Sequence, residues 1–338
     1  YQLEVLRDVT PEAVERGRRM IDGRRIAICL KKDVDEKLYI EAEAEAAGHR
    51  AVAVIAGGHT SFVFVSRDGE TLLDRRTPAA GGGEEDVPLT LARIWDFAMT
   101  SPLDELRFIL ETSRLNKAAA ERSFAGEFGH CVGRTLCCDR ERKVMGDSIF
   151  TRILSYTSAA CDARMAGAMI PVMSNSGSGN QGITCSVPLI EYAKELHSGK
   201  EKLYRALIIS NLVAIHEKTG IGTLSAYCGA VSAGAGAGAG IVYLCGDGYQ
   251  AAIHTVVNAL AIVSGIVCDG AKASCAAKIA SSVDAALLGY NMYKCNQEFK
   301  GGDGIVMKDI ETTIKGIGRL GKDGMKETNE EIIRLMIE

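Results

Sequence analysis

Strong charge of either sign is missing from this sequence. Thirty-nine lysines and arginines against 43 aspartates and glutamates leave a net charge of −4 over 338 residues, with the basic residues scattered. No basic field is left for a polynucleotide or an anionic membrane. Aromatic residues are scarce, at 6%. No charged n-region with an apolar h-region opens the chain, so a secretory signal is not read at Tyr1-Gln2-Leu3-Glu4. The eleven cysteines form no short-spaced disulfide framework, which points to a reducing, cytoplasmic setting with thiols that are buried, metal-bound or catalytic. Most would be core residues, Cys29 among them. No internal repeat of fixed period is present.

Two stretches, 227–245 and 251–268, approach the ~20 uncharged residues a membrane span needs. The first is mostly Gly, Ala and Ser, with Gly and Ala alternating over 233–240. Such side chains transfer little free energy to lipid, and Gly costs a helix about 1 kcal/mol per residue. Helices packed backbone to backbone explain the run better, and no membrane partner is expected.

The length suits two domains, and the patterning predicts an α+β protein: a small α+β domain over 1–80, then a large helical domain over 88–338. Thr10-Pro11-Glu12 reads as a capped helix start, and Gly23 as its end. Alternating runs at 25–31, 38–46, 51–56 and 61–65 predict strands of a meander, separated by Ala47-Gly48-His49 and Arg67-Asp68-Gly69. The polar stretch 78–88 is the expected linker. Beyond it the period becomes helical, from 89–99 to the amphipathic end at 328–337.

Chemistry concentrates in two places. Ser174-Asn175-Ser176-Gly177-Ser178-Gly179-Asn180-Gln181-Gly182 is dense in small donors suited to an anionic group, although the same residues also make ordinary turns. Its apolar flanks argue that it is held between buried segments. Downstream stand Cys228, Cys268 and Cys275, the last two as C-x6-C. That is no zinc-knuckle spacing, and burial statistics favour a structural role. The Gly-bearing turn between Cys268 and Cys275 raises the odds of ligation.

The segment 161–183, Cys-Asp-Ala-Arg-Met-Ala-Gly-Ala-Met-Ile-Pro-Val-Met-Ser-Asn-Ser-Gly-Ser-Gly-Asn-Gln-Gly-Ile, resembles the signature of the UPF0597 (YhaM-like) proteins. These group with the iron–sulfur L-serine dehydratase α-chain and L-cysteine desulfidase. Gly57-Gly58-His59-Thr60, Leu224–Cys228, 264–271 and 274–278 carry the likeness further. The resemblance implies a [4Fe–4S] cluster on Cys228, Cys268 and Cys275. It implies β-elimination from L-cysteine to pyruvate, ammonia and sulfide, or from L-serine to pyruvate and ammonia. The substrate α-carboxylate would lie on Ser174, Asn175, Ser176, Gly177, Ser178 and Asn180. A Leu-Gly-Cys-Thr-Glu-Pro motif, whose cysteine is proposed as base in the family, is absent from this sequence. With no initiator Met, the expectation is that an N-terminal segment is missing, with inactivity of this chain by itself as one outcome.

The base stays open. His59 is a candidate, weighed equally against a solvated turn histidine. Asp162 and Arg164 read slightly better as an ion pair than as substrate ligands, His216 and His254 as satisfied core histidines, and Lys278 as a solvated helix residue. A pyridoxal-phosphate lyase would suit the Ser/Gly run but needs a Schiff-base lysine, and none announces itself. A cluster- or amino-acid-binding protein without turnover is the reading from another class. Oligomeric state is open, a homodimer included.

Overall fold

A computed structural model describes residues 6–34, 36, 38–76, 87–138, 142–222 and 224–338. Residues 78–86 of the expected linker lie outside the described residues. The chain divides into two compact units, one of residues 1–87 with 333–338, the other of residues 88–332.

In the first unit, α1 (Pro11–Asp22) begins as its sequence dictates: the Thr10 side chain accepts the Ala13 N–H, Pro11 sits at the first turn, and Gly23 follows the end. A four-stranded antiparallel meander follows, β1 (Tyr39–Ala46), β2 (His49–Ala56), β3 (Phe62–Arg67) and β4 (Glu70–Asp74), in sequential order. Its outer hairpins close on two-residue turns. Ala47 and Gly48 have φ of 51° and 81°, Asp68 and Gly69 of 51° and 85°, the backbone that type I′ turns require.

Two expectations need correcting here. Residues 25–31 form no strand and Cys29 is exposed. The run pairs with neither open edge of the β1-β2-β3-β4 meander, and an apolar alternation without a partner is not a strand. Conversely, the sheet has a fourth strand, Glu70–Asp74, that the alternation missed because it is short and largely exposed.

The second unit is helical: α2 (Leu91–Thr100), α3 (Leu103–Leu106), α4 (Leu110–Phe124), α5 (Val132–Cys137), α6 (Arg142–Met145), α7 (Ile149–Met165), α8 (Gly179–Glu195), α9 (Lys200–Ile221), α10 (Gly229–Cys245), α11 (Tyr249–Val263), α12 (Cys275–Lys294), α13 (Ile310–Arg319) and α14 (Lys326–Ile337), the last running into 333–338. None of the described helices is long and apolar enough to cross a membrane.

The Gly/Ala run is α10, and it is the buried axis of this unit. It packs on α8, α9, α11 and α12, and Ala233, Ala235, Ala237 and Ala239 are fully buried. Glycines two apart fall on two faces of a helix, and those four apart share one. A Cβ on Gly234 would stand 2.6 Å from the Ser282 carbonyl oxygen of α12, and one on Gly238 2.9 Å from the Ala286 methyl. On the other face, Gly236 meets the Ser210 carbonyl oxygen of α9 at 2.4 Å, and Gly240 meets Leu189 of α8 at 2.5 Å. Two interleaved small-xxx-small faces therefore let neighbours approach from both sides. The helix-propensity cost of glycine, about 1 kcal/mol each, is offset by the dispersion contacts this approach gives.

Gly236→Ala gains helix propensity yet drives a methyl into the Ser210 carbonyl, so urea unfolding should show a net loss of about 1–3 kcal/mol. Gly199→Ser, whose Cβ meets nothing within 4 Å at the start of α9, should be neutral or slightly stabilising. Equal stability of Gly236→Ala and wild type would refute the close-packing account.

Candidate active site

The 174–182 run is not an open loop. Asn175 and Ser178 exchange backbone hydrogen bonds of 3.0 and 2.9 Å across a turn in which Ser176 and Gly177 take φ of 47° and 76°. Ser178 then caps α8, its hydroxyl accepting the Gln181 N–H at 3.4 Å. Asn180, Gln181 and Gly182 are already helix. The glycines serve packing: a Cβ on Gly182 would lie 1.9 Å from the Met173 carbonyl oxygen, and one on Gly179 2.4 Å from Arg164 Nε.

The side chains of this run have distinct roles. Asn175, buried, donates to the backbone and side-chain oxygens of Asn211 on α9 and accepts from the Ser176 hydroxyl. Asn180 accepts from Arg164 Nη1 at 3.0 Å. The expected Asp162–Arg164 ion pair does not form, since buried Asp162 accepts the Gly133 N–H at 2.9 Å instead. Arg164 thus stands at the N-terminus of α8, where the leading N–H groups have no carbonyl above them and the helix dipole is positive. Two positive features at one helix end suit a carboxylate.

The three distant cysteines come together. Tyr227 and Val267 form an isolated antiparallel bridge. The Cys228 N–H donates to the Ile266 carbonyl at 3.2 Å, and the Cys268 N–H to the Ala226 carbonyl at 2.6 Å. Residues flanking a bridge pair point to the face opposite it, so Cys228 and Cys268 share a face, near enough for each thiol to shift the other's ionisation. Cys275 opens α12 and lies within electrostatic range of both Cys228 and Cys161. Gly270, at φ 91°, turns the chain between Cys268 and Cys275, and the Cys275 thiol faces its carbonyl at 3.5 Å. Lys278 is no solvated bystander: its ammonium binds Asp269 Oδ1 at 2.5 Å and the Val267 carbonyl at 3.1 Å, tying the Cys268 segment to α12.

The pair is electrically asymmetric. The hydrogen bond from Cys228 holds the Cys268 thiol below its ordinary range, helped by the Gly270 N–H and the Lys278 and Lys218 ammoniums. Cys228 is pushed up by giving that hydrogen bond and by burial. Among the described residues no three His, Cys, Asp or Glu side chains are placed to hold a single metal ion.

The α8 and cysteine features meet at one point. Gln181 lies against Gly229, where a Cβ would stand 2.6–3.0 Å from its amide group, beside Cys228. Glu217 on α9, completely buried, adjoins Tyr227 and Ser232. Sequence reading missed Gln181 and Glu217 as site residues. Glu217 does carry a signal, because it interrupts the buried stripe Ser210, Val213, Ala214 and Ile221 of α9.

His59 lies in the first unit, exposed in the turn between β2 and β3. His216 pairs with Glu311 and His254 with Glu298, as satisfied core histidines do. A cavity of about 290 Å³ lined by Phe124, Cys137, Arg152 and Tyr156, among others, contains none of the residues above. The chemistry favours the thiol face over this cavity.

Comparison with known proteins gives the same direction throughout. The serine dehydratase alpha chain family model matches residues 1–334. A UPF0597 protein of Bacteroides fragilis is 51% identical over 337 residues, covering 99% of this chain and 79% of its own length. One of Bacteroides thetaiotaomicron is 50% identical over 338 residues, with the same shares. A UPF0597 protein of Desulfitobacterium hafniense is 51% identical over 286 residues, 84% of this chain and 65% of its own.

In metal-free protein, Cys268 should be alkylated by iodoacetamide at pH values below the ordinary thiol range near ~8.5, because the thiolate is the nucleophile. Cys228→Ala removes the donor, so the inflection of the rate with pH should move upward. An unchanged profile would mean the two thiols do not communicate.

Proposed function

This chain belongs to the serine dehydratase α-chain family, and from that footing we propose that it is a lyase removing the β-substituent of a small L-amino acid. L-Cysteine is the substrate proposed, giving pyruvate, ammonia and sulfide. L-Serine, giving pyruvate and ammonia, is the alternative. The observation that carries this reading is the convergence of Cys228, Cys268 and Cys275 beside the N-terminus of α8.

The donor set suits an iron–sulfur cluster better than a single ion. It is all sulfur, one thiol already favours its thiolate, and the nearby carboxylate, Asp269, is taken by Lys278. A cubane places its cysteines on separate irons, so the absence of a converged three-ligand ion site among the described residues does not count against it. Cys228, Cys268 and Cys275 would hold it. A [4Fe–4S] cluster with three protein ligands supplies, when bound, a Lewis-acidic iron for a thiol or hydroxyl leaving group.

The remaining work falls to the chain. The first turn of α8, with the Ser176 and Ser178 hydroxyls and Arg164, receives the α-carboxylate and so fixes where the Cα–H points. Asn175 and Asn180 hold that turn in place through Asn211 and Arg164. Lys278 and the Tyr227–Val267 bridge keep the cysteine segments in register. His59 is proposed to take the Cα proton. Loss of that proton and of the β-thiol as sulfide leaves aminoacrylate, which tautomerises and is hydrolysed by water to pyruvate and ammonia.

Anaerobic reconstitution with iron and sulfide should load about four irons per chain, and Cys268→Ala should lose them together with pyruvate release from L-cysteine. His59→Asn should load iron normally and lower kcat with KM unchanged. Failure of wild type to take up iron would sink the cluster reading. Iron uptake with neither pyruvate release nor binding of either amino acid would sink the lyase reading.

A further inference from the structure

Ten buried side-chain nitrogen or oxygen atoms among the described residues have no hydrogen-bond partner, and five of them collect at one end of α10. They are Gln181 Oε1, both carboxylate oxygens of Glu217, the Tyr227 hydroxyl and the Ser232 hydroxyl. Gln181, Glu217, Tyr227 and Ser232 are 4%, 1%, 0% and 0% exposed. Buried polar groups in native proteins are nearly always satisfied, and an orphaned one costs about 1–3 kcal/mol, more when charged. One orphan is an accident of packing. Five gathered at one end of α10 ask for a common partner.

The four residues come from α8, α9, α10 and the segment leading into α10. Glu217, in the last turns of α9, adjoins Ser232 and Tyr227, and it adjoins Cys185, one turn along α8 from Gln181. Gln181 rests on Gly229, and Ser232 lies one turn along α10 from Cys228. With Glu217 ionised, three of the five atoms can only accept, and the other two are hydroxyls that accept or donate. The matching partner is a compact group with several N–H donors and a positive charge. Arg164, against Gly179 and Asn180, two and one residues before Gln181, stands at the same helix end and suits a carboxylate. A cation-binding group and an anion-binding group joined through Gln181 and the start of α8 would match the zwitterionic head of an α-amino acid.

We propose that Glu217, assisted by Gln181, receives the α-ammonium of the substrate amino acid, a role resting on the amino-acid lyase reading above. Burial holds the Glu217 carboxyl well above the ordinary carboxylate range. The arriving ammonium supplies the opposite charge that the carboxylate otherwise lacks. Glu217 is thus a substrate-binding residue that discriminates amino acids from other carboxylates.

The test uses ligands that cannot react. L-Alanine carries both charged groups and no leaving group, and propionate lacks the ammonium. Calorimetric titration of the full chain should show wild type preferring L-alanine. Glu217→Gln, nearly isosteric, should lose about tenfold or more in L-alanine affinity, the scale of a hydrogen bond to a charged group, while propionate binding stays put. Should Glu217→Gln fail to fold by circular dichroism, Gln181→Leu reads the same subsite with a loss of about fivefold. Retention of the wild-type preference in the folded variant would overturn the proposal and leave the lyase reading standing, the orphaned atoms then being served by structural water. No binding of L-alanine or L-serine by wild type would overturn both.

Discussion

The close approach that glycine allows along α10 is the constraint on which the rest of this protein depends. Because Gly234 and Gly238 admit α12, and Gly236 and Gly240 admit α9 and α8, four helices meet with little side-chain volume between them. Their termini are then fixed to within the tolerance of backbone packing rather than of long side chains. The N-terminus of α10 carries Cys228, that of α12 carries Cys275, and that of α8 carries Gln181 and the Ser178 cap. A bulkier axis would separate all three.

This arrangement has an electrostatic consequence. Three helix N-termini face one region, and each brings the positive end of a dipole. Lys278, Lys218 and Arg164 add full charges nearby. Thiolates and carboxylates are stabilised in such a place. A cationic group is not, unless a carboxylate offsets the field, and Glu217 is the carboxylate buried there. The proposed division into an anion-receiving side at α8 and a cation-receiving side at Glu217 draws on that field.

Much of this was legible from residue patterns. The first helix, three strands of the meander and the helical remainder follow periodicity and turn chemistry, and Ala47-Gly48 and Asp68-Gly69 mark their hairpins. The run 25–31 misled because alternation reports a possible face, not a pairing partner. At 174–182 the composition announced small donors, but the same glycines turned out to be needed against Met173 and Arg164. Only the fold shows that Ser178 is a helix cap. The meeting of Cys228 with Cys268 rests on a single bridge between Tyr227 and Val267, a long-range pairing with no local signature. Glu217 could have been suspected as a carboxylate in an apolar stripe. That its neighbours Tyr227 and Ser232 are orphaned with it is visible only in three dimensions.

The central claim is that the cysteines of α10, α12 and the segment between 266 and 268 form one site at which a small amino acid binds. Mössbauer spectroscopy on anaerobically reconstituted, iron-57-labelled protein tests it most directly. The account predicts irons in a ratio of about three to one, with the minority signal alone shifting on addition of L-serine or L-cysteine. Four equivalent irons, or a spectrum that ignores both amino acids, would contradict it.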